Sequence, residues 1–298
     1  MDFFYKNMIR EIGEMVTFVD CLKLLCRYGT KAFFIFVLFG ACALPAYTQE
    51  NSWKELHGQT ASLLKKKRYA DGIKAGEEAL KTAKKTFPAG DTRIADSMKL
   101  LGILYRTYGR YTEAEPLFNQ ALCIYKESYG AINPNVADVL QEIAEMFFLQ
   151  DKYAKAEPFY KESLGIYEQA LGQDHPAVVS VLTRLGELCQ EQKKYAEAIP
   201  FYKRALAIEE KTLGPDHPDL APAMNNLATL YYYQDENVTA ENLYKQALGI
   251  YEKEYGKDHP LIATILEKMA EFYKGTGRKK EAERLTEQAK RIYSNYEK

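Results

Sequence analysis

The chain repeats a five-residue motif at a fixed interval of 42 residues. The motif reads Gly-x-Asp-His-Pro and occupies residues 172–176, 214–218 and 256–260. One period earlier, residues 130–134 keep the glycine and the proline that bound the motif. A period of this length indicates stacked copies of one supersecondary unit, each of which buries its apolar face against its neighbours. It directs the question of function towards extended surfaces and away from a single catalytic pocket.

Each copy carries apolar residues at helical spacing. In the third full copy Val178, Leu182, Leu185 and Leu188 recur every three or four residues, and a second stripe follows the polar residues 192–194. Such spacing places apolar side chains on one face of each of two helices. The sequence therefore predicts helix–turn–helix pairs and no sheet.

Small residues recur at fixed positions of the copies, where they allow two helix axes to approach closely. Glycine costs roughly 1 kcal/mol relative to alanine inside a helix, so Gly102 and Gly186 are expected at close contacts. The recurring alanines are Ala114, Ala156, Ala198, Ala240 and Ala282.

Proline positions predict where helices begin. Pro176, Pro218 and Pro260 suit the first turn of a helix, where the missing N–H has no intrahelical partner. The aspartate two residues earlier is expected to cap or to pin that turn. Because proline is costly in a helix interior, a second proline column predicts the start of each second helix. That column consists of Pro116, Pro158 and Pro200.

These features resemble the tetratricopeptide repeat (TPR) family. The matching pattern within one copy is Leu185-Gly186, Tyr195, Ala198, Tyr202 and Ala205. The family's usual unit is shorter, and the 42-residue copy looks like the repeats of kinesin light chain and its bacterial relatives. The resemblance implies an all-α fold, a right-handed α-solenoid whose first helices line a concave face. HEAT-like helical repeats are the alternative, but they leave the small-residue columns and the tyrosine between the helices unexplained.

The repeat sets the expected domain organisation. Residues 1–48 form a hydrophobic leader, and residues 50–298 form the TPR array. The array divides into a degenerate copy (50–91), full copies (92–133, 134–175, 176–217 and 218–259) and a C-terminal cap copy (260–298).

The leader contains an uncharged apolar stretch at residues 32–47, preceded by Arg27 and Lys31. A helix of this length spans about 24 Å, less than the ~30 Å of a bilayer core. A basic flank, an apolar core and following small residues are typical of a signal peptide. We therefore expect export from a bacterial cytoplasm, to the periplasm or outside the cell, with translation starting at Met8 or Met15. The alternatives are an uncleaved inner-membrane anchor and a lipoprotein with lipid on Cys42.

Composition and motifs disfavour several function classes. The formal net charge is −1, so no overall basicity attracts nucleic acid, and membrane contact is expected only through residues 32–47. Three aligned histidines, His175, His217 and His259, cannot converge on one metal ion because neighbouring copies lie on the order of 10 Å apart. No catalytic motif occurs, and we expect no enzyme activity, no catalytic or metal site and no cofactor.

By the resemblance, the partner-binding residues flank the small-residue column of the first helices. Kinesin light chain repeats place a peptide-binding asparagine in the column of Asn225 or Asn226. This chain has asparagine there in one copy only, which argues against an acidic cargo peptide. The hypothesis is an extended, neutral or mildly basic partner with an aromatic or apolar anchor near Phe148, Tyr232 and Tyr233. The alternative is that these three rings are ordinary packing at the rim of the groove. The candidate residues are Arg106, Glu142, Glu145, Phe148, Arg184, Glu187, Asn225, Asn226, Tyr232 and Tyr233.

The sequence thus predicts a non-enzymatic scaffold that binds a partner protein or peptide on the concave face of a TPR superhelix. The alternative is a structural or assembly factor tethered to the membrane as an anchored protein or lipoprotein.

Overall fold

The structure is a computed structural model that describes residues 48–296. Within that range the chain forms twelve helices and no strand, which confirms the all-α repeat fold. The chain divides into two compact units, Met1–Leu117 and Phe118–Lys298. The predicted leader, except for Thr48, lies outside the described residues.

The helices follow one another as antiparallel pairs joined by short turns. Residues 48–65 form α1. The others are α2 (Tyr69–Thr86), α3 (Thr92–Thr107), α4 (Tyr111–Tyr129), α5 (Pro134–Phe148), α6 (Tyr153–Leu171), α7 (Pro176–Glu191), α8 (Tyr195–Leu213), α9 (Leu220–Tyr233), α10 (Asn237–Tyr255), α11 (Pro260–Gly275) and α12 (Lys279–Tyr296). No helix in the 48–296 range combines the length and the apolar character that a membrane span needs.

The small-residue columns lie at close helix contacts, as the sequence predicts. Ala156, Ala198 and Ala240 are fully buried. A Cβ atom on Gly186 would lie 2.6 Å from Cε2 of Tyr202, closer than carbon atoms tolerate. The tyrosine ring of the second helix thus occupies the space that the glycine leaves.

The turn inside each pair uses a left-handed residue. Asp151, Lys193 and Asp235 have φ of 58°, 59° and 61°, although none is glycine. The amide of Lys194 donates to the carbonyl of Cys189 at 2.8 Å, which satisfies an orphan carbonyl at the end of α7. This hydrogen bond stabilises the left-handed conformation, so the turn tolerates a side chain.

The joint between copies is capped by histidine, and the prediction of an aspartate cap was wrong. Nδ1 of His175 accepts from the amide of Ala177 at 3.1 Å, and Nδ1 of His259 accepts from Leu261 at 3.2 Å. The motif aspartate instead pairs across copies, since Asp174 meets Lys211. Asp216 likewise lies 2.7 Å from Lys253. The histidine acts as the N-cap because its ring reaches the free amides of the first turn.

Four predicted helix starts were also wrong. Pro218 precedes α9, which begins at Leu220. Pro116, Pro158 and Pro200 lie inside their second helices, which begin five residues earlier. Pro158 and Ala154, whose carbonyl loses its partner to the proline, are exposed. Water can therefore bind that carbonyl, which lowers the cost of the interior proline.

The first helix pair is well packed although its sequence is degenerate. The indole Nε1 of Trp53 donates to Oγ of Ser97 at 2.8 Å in a buried contact. Gly76, which replaces an aromatic residue of the four full copies, is buried, and a Cβ there would lie 3.1 Å from Cδ1 of Leu101. The glycine is therefore a packing residue of the Met1–Leu117 unit.

Candidate protein-binding surface

The first helices of the Phe118–Lys298 unit present a side that we call the first-helix face. It is formed by the polar and aromatic residues of α5, α7, α9 and α11 that flank the buried stripes. Between α5 and α7 the face is continuous, because Nε2 of Gln141 donates to Oγ of Ser180 at 3.3 Å. Nε of Arg184 on α7 lies 3.5 Å from Oε2 of Glu145 on α5.

Three predicted residues, Glu145, Arg184 and Glu187, form one charged cluster on this face. The guanidinium of Arg184 lies 2.7 Å from Glu187 and also approaches Glu145. Partial burial opposes the charge of Arg184, but the carboxylates of Glu145 and Glu187 raise its pKa overall. Tyr160 of α6 donates to Oε2 of Glu145 at 2.7 Å. Glu145 is therefore held from two sides.

Tyrosine hydroxyls of the second helices fix polar groups of the face, a contact that sequence reasoning missed. Tyr167 donates to Asp138, and the hydroxyls of Tyr244 and Thr229 lie 2.9 Å apart. Burial, followed by the hydrogen bond to Asp138, raises the pKa of Tyr167. The sequence could have predicted these hydrogen bonds, since a buried tyrosine hydroxyl is usually hydrogen-bonded and polar residues occupy the facing positions.

The α9 part of the face has a different chemistry. None of its residues, Leu220–Tyr233, carries a charge. Asn225 and Asn226 are both half-buried there. Oδ1 of Asn225 is buried without a hydrogen-bond partner among the described residues. A buried amide oxygen without a hydrogen bond is costly; because this atom is closed to solvent, a donor from a ligand would reach it only after the side chain rotates outward.

Aromatic residues extend this uncharged surface to the end of α9. The ring of Tyr233 is 51% exposed and stacks on Tyr195 with centroids 4.5 Å apart. Tyr232 lies edge-on to Phe272 at 5.5 Å, and its hydroxyl occupies the place of a side chain at Gly275. Tyr232 therefore contributes to packing between α9 and α11, whereas Tyr233 is open to a partner.

The remaining predicted residues lie apart from these groups. Phe148, half-buried at the end of α5, packs edge-on against Tyr153 at 5.4 Å. Glu142 lies half-buried in the middle of α5. Arg106 is half-buried on α3, in the Met1–Leu117 unit, and is described only within that unit.

Other concave or polar regions offer weaker sites. An open groove of about 940 Å³ lies between α11 and α12, lined by residues of both charges such as Glu271, Lys274 and Lys290. In the part of the chain that the structure describes, no three His, Cys, Asp or Glu side chains converge as a metal site would require.

The sequence matches the family model described as tetratricopeptide repeat over residues 58–127, 135–210, 178–253 and 233–295. No curated protein matches the chain.

Three solved structures share the fold. BtubC (BKLC) from P. vanneervenii is 21% identical with a TM-score of 0.63, covering 85% of this chain and 92% of its own. A putative kinesin light chain with TPR-like repeats from Podosopora anserina is 22% identical with a TM-score of 0.63, covering 71% and 99%. Aspartyl phosphate phosphatase F from Bacillus subtilis is 15% identical with a TM-score of 0.63, covering 97% and 81%. At these identities the likeness shows the fold alone.

Proposed function

Because the chain belongs to the tetratricopeptide repeat family, we propose that it is a non-enzymatic scaffold that binds a partner protein or peptide on the first-helix face. The family is an interaction fold that hosts many unrelated partners, so the assignment depends on the surface of this chain.

The observation that supports the proposal most is the surface of α9. It combines two half-buried amides, Asn225 and Asn226, with the exposed residue Tyr233. Amides can bind the backbone of an extended segment, which carries both donors and acceptors. Exposed tyrosines commonly supply much of the binding energy at interfaces. An uncharged helix surface also lowers the desolvation cost of binding.

A peptide array probed with the full chain tests the proposal. Asn226→Ala combined with Tyr233→Ala is expected to remove most of the bound signal, since both side chains lie on the face. Tyr129→Ala is the matched control, because Tyr129 is 47% exposed and stacks on its own helix neighbour Tyr125. Binding by the double variant at the wild-type level would reject the first-helix face as the binding site.

We also propose that catalysis is not part of this function. One structural neighbour is named a phosphatase, but its 15% identity transfers no activity. The purified chain is expected to release no phosphate from aspartyl-phosphate proteins. Measured turnover would revive an enzymatic assignment.

For localisation, the proposal is export directed by the apolar residues 32–47, with a membrane-tethered assembly factor as the alternative. Fractionation of expressing cells separates the two, because a chain cleaved after the apolar core leaves the membrane fraction. An uncut chain in the cytoplasm would contradict both.

A further inference from the structure

Residues 65–85 concentrate positive charge on the surface of the first helix pair. This segment, which spans the α1–α2 turn and most of α2, contains eight basic residues and three acidic ones, and all eleven are exposed. The whole chain has a formal net charge of −1, so the remainder of the chain is acidic. Such a separation of charge favours a surface that binds a partner of the opposite sign.

The lysines of α2 form a strip along the solvent side of the helix. Lys74, Lys81 and Lys85 follow one another at intervals of seven and four residues. The helical rotation keeps them within about 40° of one another over a length of about 16 Å. The opposite side of α2 is buried through residues such as Ile73 and Leu80. The strip therefore points away from the protein interior.

Few of these charges are compensated within the protein. Arg68 lies 2.6 Å from Asp71, and Lys81 lies 4.0 Å from Glu78. In the described part of the chain, the lysine side chains of residues 65–67 form no ion pair or hydrogen bond. Exposed pairs are weak in any case, so the segment keeps an excess of ammonium groups that face water.

Two observations favour a lipid surface over nucleic acid as the anionic partner. The uncharged apolar stretch 32–47 directly precedes α1 in the sequence, and the proposed export brings this helix pair to a membrane. Basic side chains close to such a segment are attracted to anionic headgroups. The exposed residues of 65–85 also include no aromatic side chain on which a nucleic-acid base could stack.

We propose that the basic side chains of residues 65–85 form a peripheral membrane-binding surface for the headgroups of anionic phospholipids. This surface adds membrane contact beyond residues 32–47, the only contact that the sequence predicts. Lysine is a flexible point charge, so the surface recognises the charge density of a bilayer and not one particular headgroup. The inference concerns the first helix pair and does not depend on partner binding at the first-helix face.

Co-sedimentation of the full chain with phospholipid vesicles tests the inference. Vesicles that contain phosphatidylglycerol are expected to bind at least tenfold more strongly than vesicles of phosphatidylcholine alone, since each lysine near a charged surface contributes about fivefold. The apolar stretch contacts both kinds of vesicle alike, so the difference reports charge. It should disappear at about 1 M salt, where the screening length is about 3 Å. Equal binding to both kinds at low salt would overturn the inference.

Charge variants locate the surface. Lys66→Gln with Lys67→Gln is expected to weaken binding to the anionic vesicles at least tenfold. Lys193→Gln with Lys194→Gln is the matched control, because it removes two exposed charges from the equivalent turn between α7 and α8. Lys67 and Lys193 share the left-handed conformation, with φ of 57° and 59°. The control pair is expected to change binding less than twofold, and equal losses for the two pairs would overturn the inference.

Two further measurements separate charge from fold and lipid from nucleic acid. Lys66→Arg with Lys67→Arg keeps both charges and is expected to bind within twofold of wild type, so a loss in this variant would contradict a charge-based surface. Duplex DNA at the same salt concentration is expected to bind at least tenfold more weakly than the anionic vesicles. Binding of DNA at least as strong as that of the vesicles would overturn the assignment to lipid.

Discussion

The interior of the Phe118–Lys298 unit and its first-helix face follow opposite rules. In the interior, most corresponding positions keep one type of side chain, as with the buried tyrosines Tyr160, Tyr202 and Tyr244. On the face, one position changes in every copy. It holds Glu142, Arg184, Asn226 and Lys268 in turn. The repeated positions hold the helices together, and the variable positions are free to specify a ligand.

The largest expected effect on stability comes from removal of a tyrosine from a buried column. Tyr160→Ala is expected to lower the free energy of unfolding by about 3–5 kcal/mol, because a large buried ring leaves a cavity. Tyr160→Phe keeps the ring and is expected to cost about 1 kcal/mol through the lost hydrogen bond to Glu145. Urea denaturation measures both. A cost below about 1 kcal/mol for the alanine variant would show that this column of buried rings does not stabilise the fold.

The next largest loss of stability is expected in an interior column that holds glycine in some copies and alanine in others. Gly186→Ala is expected to destabilise the protein by about 1–3 kcal/mol, because the new methyl group meets the Tyr202 ring. Helix propensity alone would stabilise the alanine variant by roughly 1 kcal/mol, so the expected loss must come from the contact. Alanine stands at the equivalent position in α9, so Ala228→Gly is the control and is expected to cost about 1 kcal/mol. Stabilisation by Gly186→Ala would contradict the close contact.

A smaller loss of stability is expected at the joints between copies, where histidine caps the first helix. His175→Ala removes the cap of α7 and is expected to cost about 0.5–2 kcal/mol. His175→Asn retains a side-chain acceptor and is expected to remain near wild type. Thermal unfolding measures both variants. If the two variants unfold at the same temperature, the ring does not act through its hydrogen bond.

The smallest effect concerns Glu209, which interrupts an interior column otherwise made of Tyr125, Tyr167, Tyr251 and Tyr293. Burial, and then the charge of Asp219, raises the pKa of Glu209. The unfolded chain therefore loses this proton at a lower pH than the folded chain does. Ionisation disfavours the folded state, and the full cost is present at neutral pH.

Glu209→Gln is accordingly expected to stabilise the protein at pH 7, by about 1 kcal/mol or less. The gain should vanish below about pH 4, where the carboxyl is protonated in both states. Urea denaturation at both pH values measures it. A gain that persists unchanged in acid would show that the charge of Glu209 is not its cause.

The sequence predicted the hairpins and the buried columns, because a period of 42 residues constrains every copy at once. It misplaced the second helices, since the rule against interior proline ignores an exposed carbonyl that water can bind, as at Ala154. It assigned the N-cap of α7 to aspartate and not to histidine. Whether the ring of His175 reaches the amides of the first turn depends on the geometry of the joint, which the sequence does not show.

The sequence predicted only part of the candidate face. Position in the repeat identified Glu145, Arg184 and Glu187, but their clustering depends on how α5 and α7 are rotated about their axes. The sequence left open whether Tyr232 packs or binds a partner, because its packing role depends on the space that Gly275 of the next copy provides for its hydroxyl.

An exchange of face residues between copies tests the separation of fold and binding most directly. The variant Asn225→Thr, Asn226→Arg and Thr229→Glu gives α9 the face residues of α7 and leaves the interior columns unchanged. We predict a Tm within about 4 °C of wild type, as expected for about 1 kcal/mol in a chain of this size. Affinity for a peptide identified on the array should fall at least tenfold. Unchanged affinity, or cooperative unfolding lost altogether, would contradict the account.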